Sequence, residues 1–145
     1  MRISIEEINR EIEEEVIIRC HQVDDEIIQI MNRLKSKTVT LVGYDGDIIY
    51  RIKPNDIFYI EAVEGKVFIY CRDRVYESKQ KLYELEQICG SKRFFRASKS
   101  LIINITKISH IKPSISGRFE AGMENGETIV VSRQYVPVLK SMLGL

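Results

Sequence analysis

The sequence predicts a mainly antiparallel β domain with short helices, and three observations support this prediction. Short runs rich in β-branched and aromatic residues recur at a spacing of roughly 8–12 residues, which is typical of hairpin-connected strands. Turn signals separate these runs, and Asn125-Gly126 is the strongest of them. Helical periodicity is confined to residues 25–35, to Leu82–Ile88 and to the tail from Gln134 to Leu143. The sheet is therefore expected to be the main layer.

The first 37 residues are predicted to form a strand-helix arm, followed by a single domain over residues 38–145. The β-branched run Val16-Ile17-Ile18 indicates a strand over Glu13–Cys20. The boundary between arm and domain is expected near Lys35–Lys37.

A helix is predicted over residues 25–35 of the arm. Asp24 and Asp25 suit a helix N-terminus, because carboxylates accept free backbone amides there and interact well with the helix dipole. The apolar residues that follow recur at helical spacing. They are Ile27, Ile28, Met31 and Leu34.

The remaining chain is predicted to alternate short strands with turns. The predicted strands are Thr38–Val42, Asp47–Ile52, Ile57–Val63, Val67–Arg72, Val75–Ser78, Leu101–Asn104, Ile108–Ile111, Phe119–Met123 and Thr128–Val131. Arg96 is expected to carry the chain back into the sheet before Leu101. Tyr44-Asp45-Gly46 and Glu64-Gly65-Lys66 are predicted as hairpin turns.

The composition indicates a globular protein. Of 145 residues, 44% are hydrophobic and 30% are charged, which favours a folded domain over a disordered chain. No apolar run approaches the roughly 20 residues that span a bilayer. The acidic segment Met1–Glu15 is unlike a signal peptide, so a cytoplasmic protein is predicted. Cys20, Cys71 and Cys89 have no CxxC spacing and argue against disulfides and zinc.

No motif of an enzyme active site is present in the sequence. It contains no GxSxG, HExxH, GxGxxG or phosphate-binding loop. The nearby carboxylates of Glu61 and Glu64 straddle a turn and have no partner histidine in the sequence around them. We therefore predict a non-enzymatic protein with no catalytic residues, no metal, no cofactor and no small-molecule substrate.

Charge is distributed unevenly along the chain. Residues 1–34 hold nine acids and four bases, whereas residues 66–118 hold twelve bases and four acids. A basic body beside an acidic arm predicts a polyanionic partner for the body. The net charge of +1 conceals this asymmetry.

The segment Lys92–Asn104 concentrates groups that bind phosphate. It carries four cations and two serine hydroxyls before an apolar strand, and both kinds of group contact nucleic-acid backbones. A solvated turn before a buried strand is the alternative interpretation. Arg133 is a further candidate at a strand-to-helix junction, where its planar fork could read guanine or clamp phosphate. Its structural alternative is an N-cap at Ser132 with an arginine salt bridge in the first turn.

Several segments together resemble the LytTR family of bacterial DNA-binding domains. The resemblance covers about residues 38–145, and the phenylalanine–arginine–serine–asparagine block and the closing serine–arginine–tyrosine block are specific when they occur together. The segments that carry it are Asp56–Ala62, Gly65-Lys66-Val67, Leu82–Leu85, Arg93–Arg96, Lys99-Ser100, Ile103-Asn104, Asn125-Gly126 and Val131–Tyr135.

The resemblance implies a compact LytTR-like fold of short antiparallel sheets with small helices. Members contact duplex DNA through loops at one edge, which enter successive major grooves, and commonly bind promoter repeats as homodimers. A receiver domain precedes this domain in many members. Residues 1–37 are too short for one, so the chain looks like the stand-alone class, whose members are often restrained by a small membrane protein.

Carried over by position, the resemblance implies three DNA-contacting loops. The first supplies Gly65 and Lys66, the second Ser98, Lys99 and Ser100, and the third Arg133 and Gln134. Some members have asparagine or arginine where Lys99 stands, and histidine or Asn-Tyr around Lys66. A lysine in both places favours phosphate or single-acceptor contacts over bidentate base reading.

The same alignment implies a set of core residues. They are Phe58, Ile60, Phe68, Tyr70, Leu82, Leu85, Phe94, Leu101 and Ile103. Phe95 is expected in a second core layer, with a partly exposed platform as the alternative.

Two other functions remain open from the sequence alone. The body could be a protein-interaction module whose basic surface is incidental. An RNA-binding protein would use exposed aromatic side chains as stacking platforms, for which Tyr70 and Tyr76 are the candidates.

Overall fold

The computed structural model describes residues 1–35 and 41–145. The chain divides into two compact units, Met1–Lys37 and Thr38–Leu145. The boundary predicted at Lys35–Lys37, and the start of the strand predicted at Thr38–Val42, lie largely outside the described residues. No helix in the described ranges combines the length and apolar character needed to cross a membrane.

The first unit contains the predicted helix but not the predicted strand. Helix α1 spans Asp25–Lys35 and is capped by Asp24, whose Oδ1 accepts a hydrogen bond of 3.0 Å from the backbone N of Ile27. The strand predicted at Glu13–Cys20 is wrong, because these residues join no ladder in the described part of the chain. Val16 and Ile17 are 71% and 65% exposed, so their β propensity is not matched by a surface to pack on.

The second unit carries ten strands and two helices in the described residues. The strands are β1 Leu41–Asp45, β2 Ile48–Ile52, β3 Ile57–Val63, β4 Lys66–Cys71, β5 Val75–Ser78, β6 Phe94–Ser98, β7 Leu101–Asn104, β8 Ile108–Pro113, β9 Phe119–Met123 and β10 Thr128–Val131. The helices are α2 Leu82–Cys89 and α3 Val136–Met142. Most predicted strands are confirmed within a few residues, and β6 extends well beyond the Arg96 that sequence singled out.

These strands form two antiparallel sheets, which confirms the predicted fold class. The larger sheet has the order β2-β1-β5-β4-β3-β7-β6, and the smaller has the order β10-β9-β8. Tight turns join most neighbouring strands, so sequence neighbours become spatial neighbours in the sheet.

The seven-stranded sheet separates two hydrophobic cores. Adjacent residues of a strand point to opposite faces, and Phe94 and Phe95 are both buried, one in each core. Phe94 packs in the core that contains Leu85 of α2. Phe95 packs in the core that contains Val131 of β10 and Leu139 of α3. The predicted second core layer at Phe95 is therefore confirmed.

Strand β4 buries the opposite face from the one predicted. Phe68 and Tyr70 were expected in the core but are only partly buried, whereas Val67 and Ile69 are buried. Strand alternation puts these two pairs on opposite faces, so choosing the large aromatic residues selected the wrong one. Tyr70 packs at the margin of its core. Leu101 was also predicted as core and is likewise only partly buried.

A buried asparagine fixes the end of β7. The side chain of Asn104 donates a hydrogen bond of 2.8 Å to the carbonyl oxygen of Ile57 and accepts bonds from the backbone N and Oγ1 of Thr106 at 3.0 and 2.7 Å. A buried polar group costs little when all its bonds are made. This one ties the start of β3 to the short turn after β7.

Candidate nucleic-acid interface

Two backbone hydrogen bonds bring the three predicted loops to one edge of the second unit. Ala62 in β3 donates from its backbone N to the carbonyl oxygen of Ser100 at 2.8 Å. Ser132, just after β10, donates to the carbonyl oxygen of Ala97 in β6 at 2.8 Å. The β3–β4 turn, the β6–β7 turn and the junction after β10 are therefore neighbours. We call this group of three segments the loop edge.

The β3–β4 turn is a two-residue hairpin that carries Gly65 and Lys66. Glu64 and Gly65 have φ angles of +50° and +79°, and a turn with two positive φ angles follows the natural twist of a hairpin. Glycine adopts this conformation without strain, which explains Gly65. Lys66 is the first residue of β4 and is exposed. The side chain of Lys66 therefore extends from a hydrogen-bonded strand.

The β6–β7 turn carries Ser98, Lys99 and Ser100, and its geometry is set by side chains. The Oγ of Ser98 accepts a hydrogen bond of 3.3 Å from the backbone N of Ser100. Ser98 is half-buried, while Lys99 and Ser100 are exposed. The two hydroxyl oxygens also lie 3.4 Å apart, so both serines contribute to the shape of the turn.

Arg96 braces this turn and is not a free cation. Its Nη1 donates a hydrogen bond of 2.6 Å to the carbonyl oxygen of Lys99, and its Nε is paired with the carboxylate of Glu86 on α2. Charge-assisted bonds of this kind are stronger than neutral ones. The four cations of the segment Lys92–Lys99 therefore differ in role, because Arg96 is committed to the fold.

The junction after β10 carries Arg133 and Gln134 in one turn of 3₁₀ helix, and both are exposed. The alternative for Arg133 was an N-cap at Ser132 with an arginine salt bridge, and the structure has neither in the described residues. The side chain of Ser132 makes no capping hydrogen bond, and Arg133 forms no ion pair with any residue in the described ranges. The guanidinium is consequently available to a partner.

The β8–β9 loop contributes a contact that sequence reasoning missed. Gly117 has a φ angle of +75°, and a Cβ on it would lie 2.8 Å from the Cδ of Arg133. The aliphatic stem of Arg133 thus lies against bare backbone. Arg118 follows and is exposed, which adds a further cation near the loop edge. The Ser-Gly pair at 116–117 marked a turn but gave no indication of its distant neighbour.

A tyrosine–glutamate contact links the two sheets behind this edge. The hydroxyl of Tyr59 in β3 donates a hydrogen bond of 2.6 Å to Oε2 of Glu127, which directly precedes β10. Burial, together with this bond, raises the pKa of Tyr59 far above its ordinary value, so the phenol stays protonated and remains a donor. The contact helps to hold β10, and with it Arg133, in place.

Cations outnumber carboxylates in the three segments of the loop edge. Lys66, Lys99 and Arg133 form no ion pairs among the described residues, and Glu64 is the carboxylate in the turn beside Lys66. Among those residues, no group of three His, Cys, Asp or Glu side chains could hold a metal. Exposed cations on rigid turns can attract and bind a polyanion.

Comparison with known families settles which family has this architecture. Residues 47–144 match the LytTr DNA-binding domain. The chain belongs to the LytTR family. A solved LytTr DNA-binding domain from Bacillus cereus superposes with a TM-score of 0.70 at 25% sequence identity, over 74% of this chain and 98% of that domain.

Relatives of this LytTR protein fall into two kinds by length. The sensory transduction protein LytT of Enterococcus faecalis is 32% identical over 111 residues, which is 77% of this chain but 45% of that protein. The chain thus spans less than half the length of LytT. The uncharacterized HTH-type transcriptional regulator SAB2242 of Staphylococcus aureus is 27% identical over 137 residues, covering 93% of this chain and 92% of that protein.

The LytTR fold seen here has no pair of consecutive α-helices in the described residues. Strands β1–β5 separate α1 from α2, and strands β6–β10 separate α2 from α3. A helix-turn-helix needs two helices joined by a short turn. The described α-helices do not form this motif.

Proposed function

We propose that the protein is a DNA-binding transcription regulator that contacts duplex DNA through the loop edge. The observation that carries this proposal is the pair of backbone hydrogen bonds, Ala62 to Ser100 and Ser132 to Ala97, that brings three separate basic segments together. Membership of the LytTR DNA-binding family supports the partner. Residues 38–145 would form the DNA-binding domain, and residues 1–37 an accessory arm.

The shape of the loop edge suits the major groove. Neighbouring strands lie about 4.8 Å apart, so the tips of the β3–β4 and β6–β7 hairpins are separated by roughly 10 Å. A major groove about 12 Å wide admits a two-stranded ribbon. Each hairpin tip is therefore narrow enough to enter a groove edge-on.

We assign different tasks to the side chains of the loop edge. Arg133 has the planar fork that pairs with guanine, and the amide of Gln134 can pair with adenine. Lys66 and Lys99 are point charges suited to phosphate oxygens, and the exposed Ser100 hydroxyl can donate to phosphate. Gly65 and Ser98 act through backbone geometry. Sequence preference then depends mainly on the junction after β10.

A homodimer on repeated sites is part of this proposal. Support comes from α1, where Ile28, Met31 and Leu34 are all at least 37% exposed at helical spacing. An exposed apolar stripe of this kind suits a second copy of the same helix. Light scattering of the full chain would test it, because Met31→Glu combined with Leu34→Glu should then yield a monomer. An unchanged dimer would exclude this stripe as the contact. Restraint by a small membrane protein remains a prediction from the family resemblance.

A protein-interaction module is the second candidate, and one observation favours it. Ile48 and Ile49 on the edge strand β2 are 58% and 62% exposed, which gives the sheet an apolar margin that a partner could cover. RNA binding is less well supported, since Tyr70 stacks on Tyr59 with ring centroids 4.3 Å apart and Tyr76 packs on Tyr50 at 5.1 Å.

Selection of bound fragments from random duplex DNA tests the proposed function. The full chain is incubated with a random library, the recovered sequence is synthesised, and its affinity is compared with that of a scrambled duplex at fixed salt concentration. We expect the selected duplex to bind at least about 10³-fold more tightly. Equal affinities, or no retention of either duplex, would favour the interaction module.

A further inference from the structure

A second group of cations lies at the end of the seven-stranded sheet opposite the loop edge. A cleft of about 450 Å³ opens there. Its charged lining residues are Arg51, Arg72, Arg74, Lys107, Asp56 and Asp73. We call this site the basic cleft. Nothing in the predicted DNA contacts accounts for it.

The strand topology explains why three of these cations converge. Arg72 and Arg74 flank the β4–β5 turn, and Lys107 ends the short turn after β7. In an antiparallel sheet, these two turns face away from the β3–β4 and β6–β7 turns, and Arg51 of β2 completes the lining. The seven residues of β3 separate the two sites by roughly 20 Å. A duplex held by the loop edge therefore lies at the other end of the sheet.

Aromatic rings hold the cations of the cleft without neutralising them. The Cζ of Arg72 and the Nζ of Lys107 lie 5.5 and 5.4 Å from the centroid of the same Phe58 ring, which is 2% exposed. Arg74 lies 5.4 Å from the ring centroid of Tyr50. Contacts of this geometry are attractive cation–π interactions. They fix the direction of each cation and leave its charge uncompensated.

Nearby carboxylates reduce the positive charge of the cleft but do not cancel it. Asp56 and Asp73 leave the lining with two more cations than anions. Outside the lining, Glu124 lies 3.8 Å from Arg72, and both side chains are largely solvated, so this pair contributes little. Within the described ranges, Arg51, Arg74 and Lys107 form no ion pair.

We propose that the basic cleft binds a small ligand that carries phosphate groups, with a nucleotide as the best-fitting class. Three guanidinium groups and one ammonium that converge on a concave site match a multiply charged phosphate chain. The volume lies within the usual range for small-molecule sites. Tyr76, which lines the cleft and packs against Tyr50, provides an aromatic surface against which a base can pack. The site binds a ligand and performs no reaction.

Titration calorimetry on the full chain tests this proposal with three probes: adenosine triphosphate, pyrophosphate and adenosine. We expect the first two to bind, and adenosine to bind at least tenfold more weakly than the triphosphate. Arg51→Ala combined with Arg74→Ala should weaken triphosphate binding at least tenfold, because each arginine supplies charge-assisted bonds. The matched control, Lys92→Ala with Arg93→Ala, removes the same charge from exposed positions outside the cleft and should change affinity less than twofold.

Other outcomes would overturn the proposal. These are no heat at millimolar triphosphate and pyrophosphate, equal affinity for adenosine and the triphosphate, or equal losses in the two double variants. The phosphate could instead come from DNA. If the Arg51→Ala, Arg74→Ala variant loses as much duplex affinity as Arg133→Ala, the cleft is a backbone contact and the small-ligand proposal fails. The calorimetric outcomes do not depend on the loop edge binding DNA.

Discussion

The two ends of the seven-stranded sheet carry similar charge in different shapes. At the loop edge, Lys66, Lys99 and Arg133 stand at the tips of turns, exposed and without ion pairs in the described residues. At the basic cleft, Arg72 and Lys107 lie over the ring of Phe58 in a concave site. Cations at separate turns suit the groove of a duplex, whereas cations gathered around one cleft suit a small anion. Shape, more than charge, separates the two proposed partners.

The two ends are also held in place differently. Backbone hydrogen bonds join the segments of the loop edge, so the exposed side chains of Lys66, Lys99 and Arg133 can change without breaking these bonds. At the opposite end, a buried side chain adds to the backbone bonds: that of Asn104, which ties Ile57 to the turn that contains Thr106. Substitutions should therefore affect stability at one end and binding at the other.

The largest effect is expected at the cleft end. Asn104→Ala should lower the free energy of unfolding by about 2–4 kcal/mol, because it leaves buried hydrogen-bonding groups without partners. Urea denaturation measures this. Asn125→Ala is the control, since its side chain accepts one bond in an exposed turn and should cost about 1 kcal/mol or less. Equal losses would show that the buried bonds of Asn104 matter no more than an exposed one.

Arg133→Ala should act on binding and leave stability nearly unchanged. If the guanidinium reads a base, the variant should bind the selected duplex about 1–3 kcal/mol more weakly and scrambled DNA with a smaller loss. Fluorescence anisotropy at fixed salt concentration measures both, with Lys92→Ala as the control. Unchanged affinity for both duplexes would remove Arg133 from the proposed interface.

A pair of glycines tests the position of Arg133 more finely. Gly117 and Gly126 have φ angles of +75° and +90°, so an alanine at either position should cost about 1 kcal/mol of stability. Only at Gly117 would the new Cβ meet Arg133, at 2.8 Å from its Cδ. Gly117→Ala should therefore weaken duplex binding by a few-fold, less than Arg133→Ala, while Gly126→Ala should not. Identical binding by the two variants would contradict the contact.

The last comparison concerns the thiol of Cys71, which lines the basic cleft. Burial, and secondarily the charge of Asp56, raises the pKa of Cys71 to about 11, and burial alone raises that of Cys89 to about 11. At pH 8 both should react with iodoacetamide about 100-fold more slowly than an unperturbed thiol, and faster as pH rises toward 11. The pKa of each of these two thiols is higher in the folded than in the unfolded protein. The fold therefore loses stability as the pH rises above about 9. Rapid labelling of Cys71 at pH 8, measured by mass spectrometry, would show that its thiol is not buried.

The sequence predicted the strands well where turn chemistry was explicit. Gly65 and Asn125-Gly126 marked hairpins whose bounds the structure confirms within a residue or two. It failed at Glu13–Cys20, because β-branched residues describe a preference for packing and not the presence of a partner strand. It chose the wrong face of β4 for a related reason. Alternation was visible at residues 67–70, but which face meets a core depends on distant elements such as α2.

The candidate site was predictable as a set of segments but not as an assembled edge. The basic turns at Lys66 and Lys99 and the junction at Arg133 could be read from residue types and family resemblance. Their adjacency depends on the pairing of β3 with β7 and of residue 132 with β6, which are long-range contacts without a local signal. The position of Arg96 at a strand edge indicated a partly structural role but not its bond to Lys99, and the packing of Gly117 against Arg133 joins two loops with no local signal.

The most direct test compares two triple variants that remove equal charge from opposite ends of the sheet. One is Lys66→Ala, Lys99→Ala and Arg133→Ala; the other is Arg51→Ala, Arg74→Ala and Lys107→Ala. Duplex affinity is measured as a function of salt concentration. The loop-edge variant should lose most specific affinity, and its log–log salt slope should fall by about 0.9 for each phosphate contact removed, while the cleft variant should keep both. Equal losses would mean that net charge alone, and not the loop edge, binds the DNA.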